Sequence, residues 1–284
     1  MTSNRRLPQG GIPTTWLFTP GTDPDHFDAA ERAGAGVAIL DLEDAVAPGD
    51  KDRARSLVVD KLTALRDSAT AVRYAVRMNA VGSVAGLRDL LAVAEHRLTP
   101  AYVVVPKVES AATVDLVADT LHDAGVVTDL VAMIESARAV TEITAILREG
   151  RTPPAAVMFG AADMAGDLGA EPGTAVVLQA RNSILQAAAA FGVPVIDTPF
   201  FDIHDAGGLA DSVGDAVRSG FAAKAAIHPR QIVAIADGFT PSGEEIRWAD
   251  EVVGVAERGV GTVNGQMIDE AIARRARRIL ARAN

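Results

Sequence analysis

Val131-Ala132-Met133-Ile134-Glu135-Ser136 and Val157-Met158-Phe159-Gly160-Ala161-Ala162-Asp163 follow one pattern. Each is a short apolar run that ends in a carboxylate with small residues around it. Runs of this length, bounded by turn signals, read as parallel strands buried on both faces. Residues 137–147 between them read as a helix. The unit is therefore strand, helix, strand, with Glu135 and Asp163 expected at equivalent ends of neighbouring strands. Two carboxylates held close repel unless a positive charge sits between them. They read either as a seat for a hard divalent cation such as Mg2+, whose shell water and substrate oxygens would complete, or as two caps on the helices that follow.

Outward from this unit the alternation repeats. Strands are predicted over 14–20, 37–43, 73–79, 101–106, 130–134, 155–159, 193–196 and 221–227. Helices are predicted over 23–33, with Asp23 as cap and Pro24 in first position, then 50–65, 84–94, 110–121 with Ser110 as cap, 137–147, 174–191, 205–219 and 229–236. Eight such units in 284 residues match an α/β fold, a (β/α)8 TIM barrel. An open doubly wound sheet is the alternative, but no Gly-x-Gly-x-x-Gly follows the first strand. Past the eighth unit come a helix over 242–258, a turn-rich break over 260–265 and a basic amphipathic helix over 268–283. The expected organisation is a flexible N-terminus (1–13), the barrel (14–240) and a C-terminal helical extension (241–284). The extension either pads the barrel or reaches a neighbouring subunit.

Composition narrows the class. Hydrophobic residues make up 49% of the chain and aromatic ones 4%, so the core must be built mainly of Ala, Val, Leu and Ile. Cysteine is absent, which excludes disulfides and thiolate metal sites and suits a reducing compartment. The formal charge of −10, with no basic stripe, argues against nucleic acid as a partner. Met1 to Gly11 lacks the apolar stretch of a signal peptide, and no run is long enough to span a membrane. A cytoplasmic protein is expected.

In a barrel of this kind the chemistry lies where strands end and βα loops begin. Those ends carry Asp41, Glu43, Asp44, Arg77, Asn79, Lys107, Glu109, Glu135, Asp163, Asp197 and His228. Arg77 should point into the barrel mouth, because Val76 and Met78 take the other face. A buried guanidinium must be paired. It either grips a substrate carboxylate or forms an ion pair with Glu43 or Asp44, and the two readings are compatible. Lys107, between Glu43 and Glu109, reads as a protonated, paired lysine rather than a Schiff-base former. His228 is either a metal ligand or base, or a histidine bonded to backbone. Gly160-Ala161-Ala162 either presents N–H groups to an anion or makes a tight turn.

Taken together, these motifs resemble the citrate lyase beta-subunit-like proteins of the HpcH/HpaI aldolase group, which includes malyl-CoA and citramalyl-CoA lyases. The matching stretches are Leu17-Phe18-Thr19-Pro20-Gly21, Ile39 to Val46, Val76-Arg77-Met78-Asn79, Val105 to Ser110, Ile134-Glu135-Ser136, Phe159-Gly160 to Asp163, Ile227-His228-Pro229 and Gly265-Gln266-Met267-Ile268-Asp269. Each is weak alone, but their shared order along nearly the whole chain is specific. The resemblance implies a homo-oligomer, often a trimer. It implies Mg2+ bound by Glu135 and Asp163, and a keto-acid carboxylate gripped by Arg77. It also implies an acid, Asp269, carried by the extension into the active site of the adjacent subunit. Ala162 stands where many relatives have Glu, and Ser136 replaces a common Thr, which puts substrate identity in question more than metal binding.

The activity implied is cleavage or formation of a 3-hydroxyacyl thioester, such as malyl-CoA, citramalyl-CoA or citryl-CoA. The products of cleavage are a 2-oxo acid (glyoxylate, pyruvate or oxaloacetate) and an acyl-CoA. In that scheme Asp269 and Arg77 are the catalytic residues. Arg77, Glu135 and residues 160–162 bind substrate, and Glu43, Asp44 and Lys107 support them from behind. The alternatives are a citrate lyase beta subunit working on an acyl-carrier protein, and a class II aldolase acting on free oxo acids.

Overall fold

Successive side chains point to opposite faces of a strand, so in a closed parallel barrel one set fills the interior and the other meets the helices. The computed structural model describes residues 11–66, 70–148, 150–259 and 261–283. Most of the N-terminal segment expected to be flexible, residues 1–10, lies outside the described residues. Ile12 is already buried in the barrel core.

The order is β1 (Thr15–Pro20), α1 (Pro24–Arg32), β2 (Val37–Asp41), α2 (Lys51–Ala64), β3 (Arg73–Arg77), α3 (Val84–Glu95), β4 (Tyr102–Val105), α4 (Ala111–Asp123), β5 (Asp129–Ile134), α5 (Ala137–Arg148), β6 (Ala156–Phe159), α6 (Ala161–Asp167), α7 (Ala175–Phe191), β7 (Val195–Asp197), α8 (Ala206–Ser219), β8 (Ala223–Ala226) and α9 (Gln231–Phe239). β1 to β8 pair in sequence, and β8 returns to β1, closing the barrel. Every pairing is parallel. The TIM barrel read from the sequence is the fold observed.

Alternate residues of all eight strands form the interior: Trp16, Val37, Ile39, Ala75, Tyr102, Val104, Val131, Met133, Ala156, Met158, Ile196, Ala223 and Ala225. The rings of Trp16 and Tyr102 lie 4.7 Å apart. Small residues make room for them, and Ala225 is the register partner of Trp16 on β8. The indole N–H is satisfied by the carbonyl of Pro13 at 2.7 Å.

Out of phase with Ile196 and Ala225, Asp197 and Lys224 belong to the outer layer. Arg181 Nε lies 2.9 Å from Asp197 Oδ1, Lys224 Nζ 2.8 Å from Asp197 Oδ2, and Arg181 Nη1 2.9 Å from Asp215 Oδ2. Asp197, counted by sequence among the rim acids, is thus spent on a buried ion cluster that ties β7 and β8 to α7 and α8.

A second compact unit begins at Ala236. It holds α10 (Gly243–Glu257), the antiparallel pair β9 (Gly261–Val263) and β10 (Gln266–Ile268), and α11 (Glu270–Ala283). Its core is Ala249, Val252, Val263, Ile268, Ala276 and Ile279. Ser242 and Glu245 cap α10 reciprocally, side chain to backbone in both directions. The turn-rich break of the sequence reading is the centre of a hairpin. Asn264 and Gly265 take φ of 51° and 77°, the pair of left-handed residues that a two-residue hairpin turn requires. The last helix starts later than predicted, because Ile268 ends β10. Asp269 Oδ1 accepts the N–H of Ile272 at 2.9 Å and so starts α11. Among the described residues no helix is long and apolar enough to cross a membrane.

Candidate active site

The interior changes character at the carboxyl ends of the strands. Two residues beyond Ile39, Ala75, Met133 and Met158, on the same inward face, stand Asp41, Arg77, Glu135 and Gly160. The register places Asp41 beside Arg77, and Ile134 beside Phe159. Burial is nearly complete, at 0% exposure for Asp41, 1% for Glu135 and 7% for Arg77.

Arg77 is paired, as a buried guanidinium must be, but its main partner is Asp41. Nε donates to Oδ1 at 2.7 Å and Nη2 to Oδ2 at 2.5 Å. Asp41 also accepts the N–H groups of Glu43 and Ala45, which fixes the loop after β2. The Glu43 and Asp44 contacts expected from sequence are present as ion pairs to Nη1, at 3.1 and 3.7 Å. The guanidinium lies 4.6 Å from the ring of Phe18. Burial would lower its pKa, but the bonds and charge of Asp41 outweigh that and raise it.

Glu135 is held on one side only. Oε1 accepts the backbone N–H of Lys107 at 2.7 Å, and Oε2 is buried without a hydrogen-bond partner. Burial first, then the negative charge of Glu43, push its carboxyl up to about 8, and Asp163 adds to the effect. Gly160 leaves the space this carboxylate needs, since a Cβ there would sit 2.5 Å from Oε2. Asp163 is on α6, a helix absent from the sequence reading, and lies in its first turn rather than at a strand end. Glu135 and Asp163 line one open cavity of about 920 Å3 together with Lys107, Glu109 and Ser136. Among the described residues there is no cluster of three or more His, Cys, Asp or Glu side chains suited to a metal. An ion held here would take two protein carboxylates and fill its shell with water and substrate oxygens, which suits Mg2+. The bare oxygen of Glu135 fits such a ligand.

Lys107 is the cation of this wall. Nζ lies 2.8 Å from Glu43 Oε1, so the ion-pair reading holds. Burial works against its charge, but Glu43 outweighs burial and raises its pKa. Glu43 itself is pushed up, chiefly by burial, against the pull of Arg77 and Lys107. Its Oε2 meets Arg77 as an ion pair without hydrogen-bond geometry.

The lining does not include Arg77, Gly160, Ala161 or Ala162. The N–H of Gly160 is spent on the carbonyl of Ile134 at 3.2 Å, so this residue contributes space rather than a donor. His228 Nδ1 accepts the N–H of Arg230 at 3.1 Å, the backbone-bonded alternative. Ser110 begins α4 by position, but its hydroxyl meets Thr113 Oγ1 instead of capping the backbone. Asp269 is exposed on the C-terminal unit.

Two supporting groups escaped the sequence reading. Asp89 of α3, 1% exposed, accepts from the N–H and Nδ2 of Asn79 and from Arg55 Nε. Lys51 Nζ donates to the carbonyls of Leu42 and Glu43 at 2.8 and 2.5 Å. A cation at a helix N-terminus opposes the helix dipole, and that anomaly was the available signal for Lys51. Asp89 gave none, being one acid among many on predicted helices.

A closed parallel barrel with buried, unevenly satisfied acids at the carboxyl ends of its strands is the frame of a barrel enzyme. Residues 14–229 match HpcH/HpaI aldolase/citrate lyase, and the chain belongs to that family. It is 36% identical over 278 residues to a citrate lyase subunit beta-like protein of Mycobacterium tuberculosis, covering 94% of each chain. Human mitochondrial citramalyl-CoA lyase is 31% identical, over 92% of this chain and 82% of its own. Among solved structures, CitE of M. tuberculosis in complex with magnesium, acetoacetate and coenzyme A aligns with a TM-score of 0.82 at 33% identity, over 97% of this chain and 99% of that one. The protein is a carbon–carbon lyase of this family.

Proposed function

We propose that the protein makes or breaks a carbon–carbon bond between a 2-oxo acid (glyoxylate, pyruvate or oxaloacetate) and an acyl-CoA, with Mg2+ held by Glu135 and Asp163. The observation that carries this reading is the buried, unpartnered oxygen of Glu135 in the same cavity wall as Asp163. The magnesium, keto acid and coenzyme A of the M. tuberculosis complex support it. When bound, the cation supplies a Lewis acid for the keto oxygen.

The chain's own residues do the rest. Asp41 takes Nε and Nη2 of Arg77, which fixes the plane of the guanidinium, and the oxo-acid carboxylate takes the place at Nη1 that Glu43 and Asp44 hold at 3.1 and 3.7 Å. Lys107, kept charged by Glu43, adds a second positive group at the cavity wall. The N–H groups of Ala161 and Ala162, next to Gly160, serve an anionic end of the substrate. Asp269 comes from the C-terminal unit of a neighbouring copy in a homo-oligomer, a trimer in this reading. In the joining direction it takes a proton from the carbon beside the thioester. That carbon attacks the 2-oxo carbon, and the keto oxygen takes a proton from solvent water to become a hydroxyl. In cleavage the hydroxyl gives its proton to solvent water as the bond breaks, and Asp269 returns one to the enolate carbon.

The test is cleavage of malyl-CoA and citramalyl-CoA with Mg2+, with EDTA and the free hydroxy acids as controls. The expected result is turnover of a thioester that EDTA abolishes. Turnover indifferent to EDTA, or of the free acids alone, overturns the reading.

Gly160→Ala gives a sharper check. The backbone there (φ −98°, ψ 88°) requires no glycine, so the effect is steric. The new Cβ would meet Oε2 and Cβ of Glu135 at 2.5 and 2.6 Å and force that side chain to move. Mg2+ affinity measured by calorimetry is expected to fall about ten- to a hundredfold, the usual cost of disturbing a ligand's support.

A further inference from the structure

Lys107 has φ of +52°. The other non-glycine residues with positive φ among those described are Arg97 and Asn264. Asn264 is a hairpin-turn residue, and Arg97 follows the end of α3. Lys107 is the one of the three that lines the cavity. A left-handed backbone is unfavourable for lysine, and such strain persists only where the surroundings fix it.

The turn redirects the chain after β4 toward the end of β5. The N–H of Lys107 reaches Glu135 Oε1 at 2.7 Å, and the next N–H, of Val108, reaches the carbonyl of Met133 at 3.3 Å. With Oε1 held there, and no Cβ at Gly160 beneath Oε2, the carboxylate is fixed with its second oxygen bare. The lysine side chain meanwhile leaves in another direction, to Glu43 at 2.8 Å. Backbone and ammonium at this position thus serve different partners.

We propose that the left-handed backbone at position 107 is a positioning device for Glu135, presetting it for a divalent cation, and that the ammonium acts separately on the anionic substrate. This rests on the reading of Glu135 as a cation ligand. Replacing the lysine with any neutral residue removes a charge that repels the cation, so neutral variants are compared with one another.

Full-length Lys107→Gly, Lys107→Asn, Lys107→Ala and Lys107→Val are titrated with Mn2+ in the absence of substrate, with free Mn2+ read by electron paramagnetic resonance. Gly and Asn accept positive φ, Ala does so less readily, and branched Val least. Gly and Asn are expected to bind alike, Val roughly tenfold more weakly, and Ala in between. With the metal site saturated in every variant, the KM for the oxo acid is expected to rise by one common factor in all four, because all lack the ammonium.

Equal Mn2+ affinity in the Gly and Val variants overturns the proposal, as does a KM that follows the Mn2+ ranking. If Val does not fold, by circular dichroism, the Gly and Ala pair decides in the same way. Glu135→Gln is measured alongside. If it binds Mn2+ as tightly as the parent, the cation reading falls. If it loses Mn2+ while the ranking at 107 is flat, only the positioning role falls.

Discussion

Asp269→Asn is expected to lose about a thousandfold in kcat, the scale of a positioned acid–base group, while Mg2+ and the oxo acid bind as in the parent. The choice of Asn follows from the structure. Oδ1 of Asp269 accepts the N–H of Ile272 and starts α11. Asn caps a helix as well as Asp does, whereas Ala would remove about 1 kcal/mol of helix stability along with the carboxylate. An unchanged melting temperature would show that the cap survives. The neighbouring-subunit role has its own signature. Asp269→Asn and Glu135→Gln chains, each inactive alone, should regain turnover when mixed and allowed to exchange subunits. Full activity in Asp269→Asn alone would remove this residue from the chemistry.

Glu135→Gln is expected to abolish Mg2+ binding and turnover yet to stabilise the metal-free protein at alkaline pH. The sign follows from the carboxyl, which burial and Glu43 push from 4.5 to about 8. A carboxyl with a raised folded value contributes stability that is whole below its unfolded value and is lost as pH rises through the folded one. Glu43, also raised, acts in the same direction. The metal-free parent should therefore lose stability between about 4.5 and about 8, by an amount on the order of a few kcal/mol. A divalent cation displaces the proton and should restore most at the alkaline end. In Glu135→Gln the slope should flatten and Mg2+ should add nothing. Thermal melts across this pH range, with Mg2+ and with EDTA, check each point. A parent whose Mg2+ stabilisation is the same at every pH would argue against proton displacement at Glu135.

What the sequence disclosed follows from what decides each feature. The strands were legible because a sheet covered by helices needs continuous apolar runs, and the inward face of Arg77 followed from alternation. Its partner Asp41 was not, because that pairing depends on the register between β2 and β3, which no local pattern encodes. α6 was missed because Ala161–Asp167 is short and flanked by glycine on both sides, Gly160 before it and Gly169 soon after. The hairpin at Asn264–Gly265 carried its signal, but strands of three residues were too short to read as such. The left-handed turn at Lys107 had none, since lysine has no bias toward that conformation. Asp269 was named through family resemblance alone, and its capping bond became visible only with the fold.

The barrel interior is lopsided. The first four strands bring Trp16 and Tyr102, while the last four bring Ala156, Ala223 and Ala225. The two halves are therefore complementary rather than interchangeable. A duplicate of the front half, set against itself, would crowd ring on ring, and a duplicate of the back half would leave holes where rings belong. Whatever symmetry the eightfold repeat of the chain suggests, the buried rings of the interior come from one half alone.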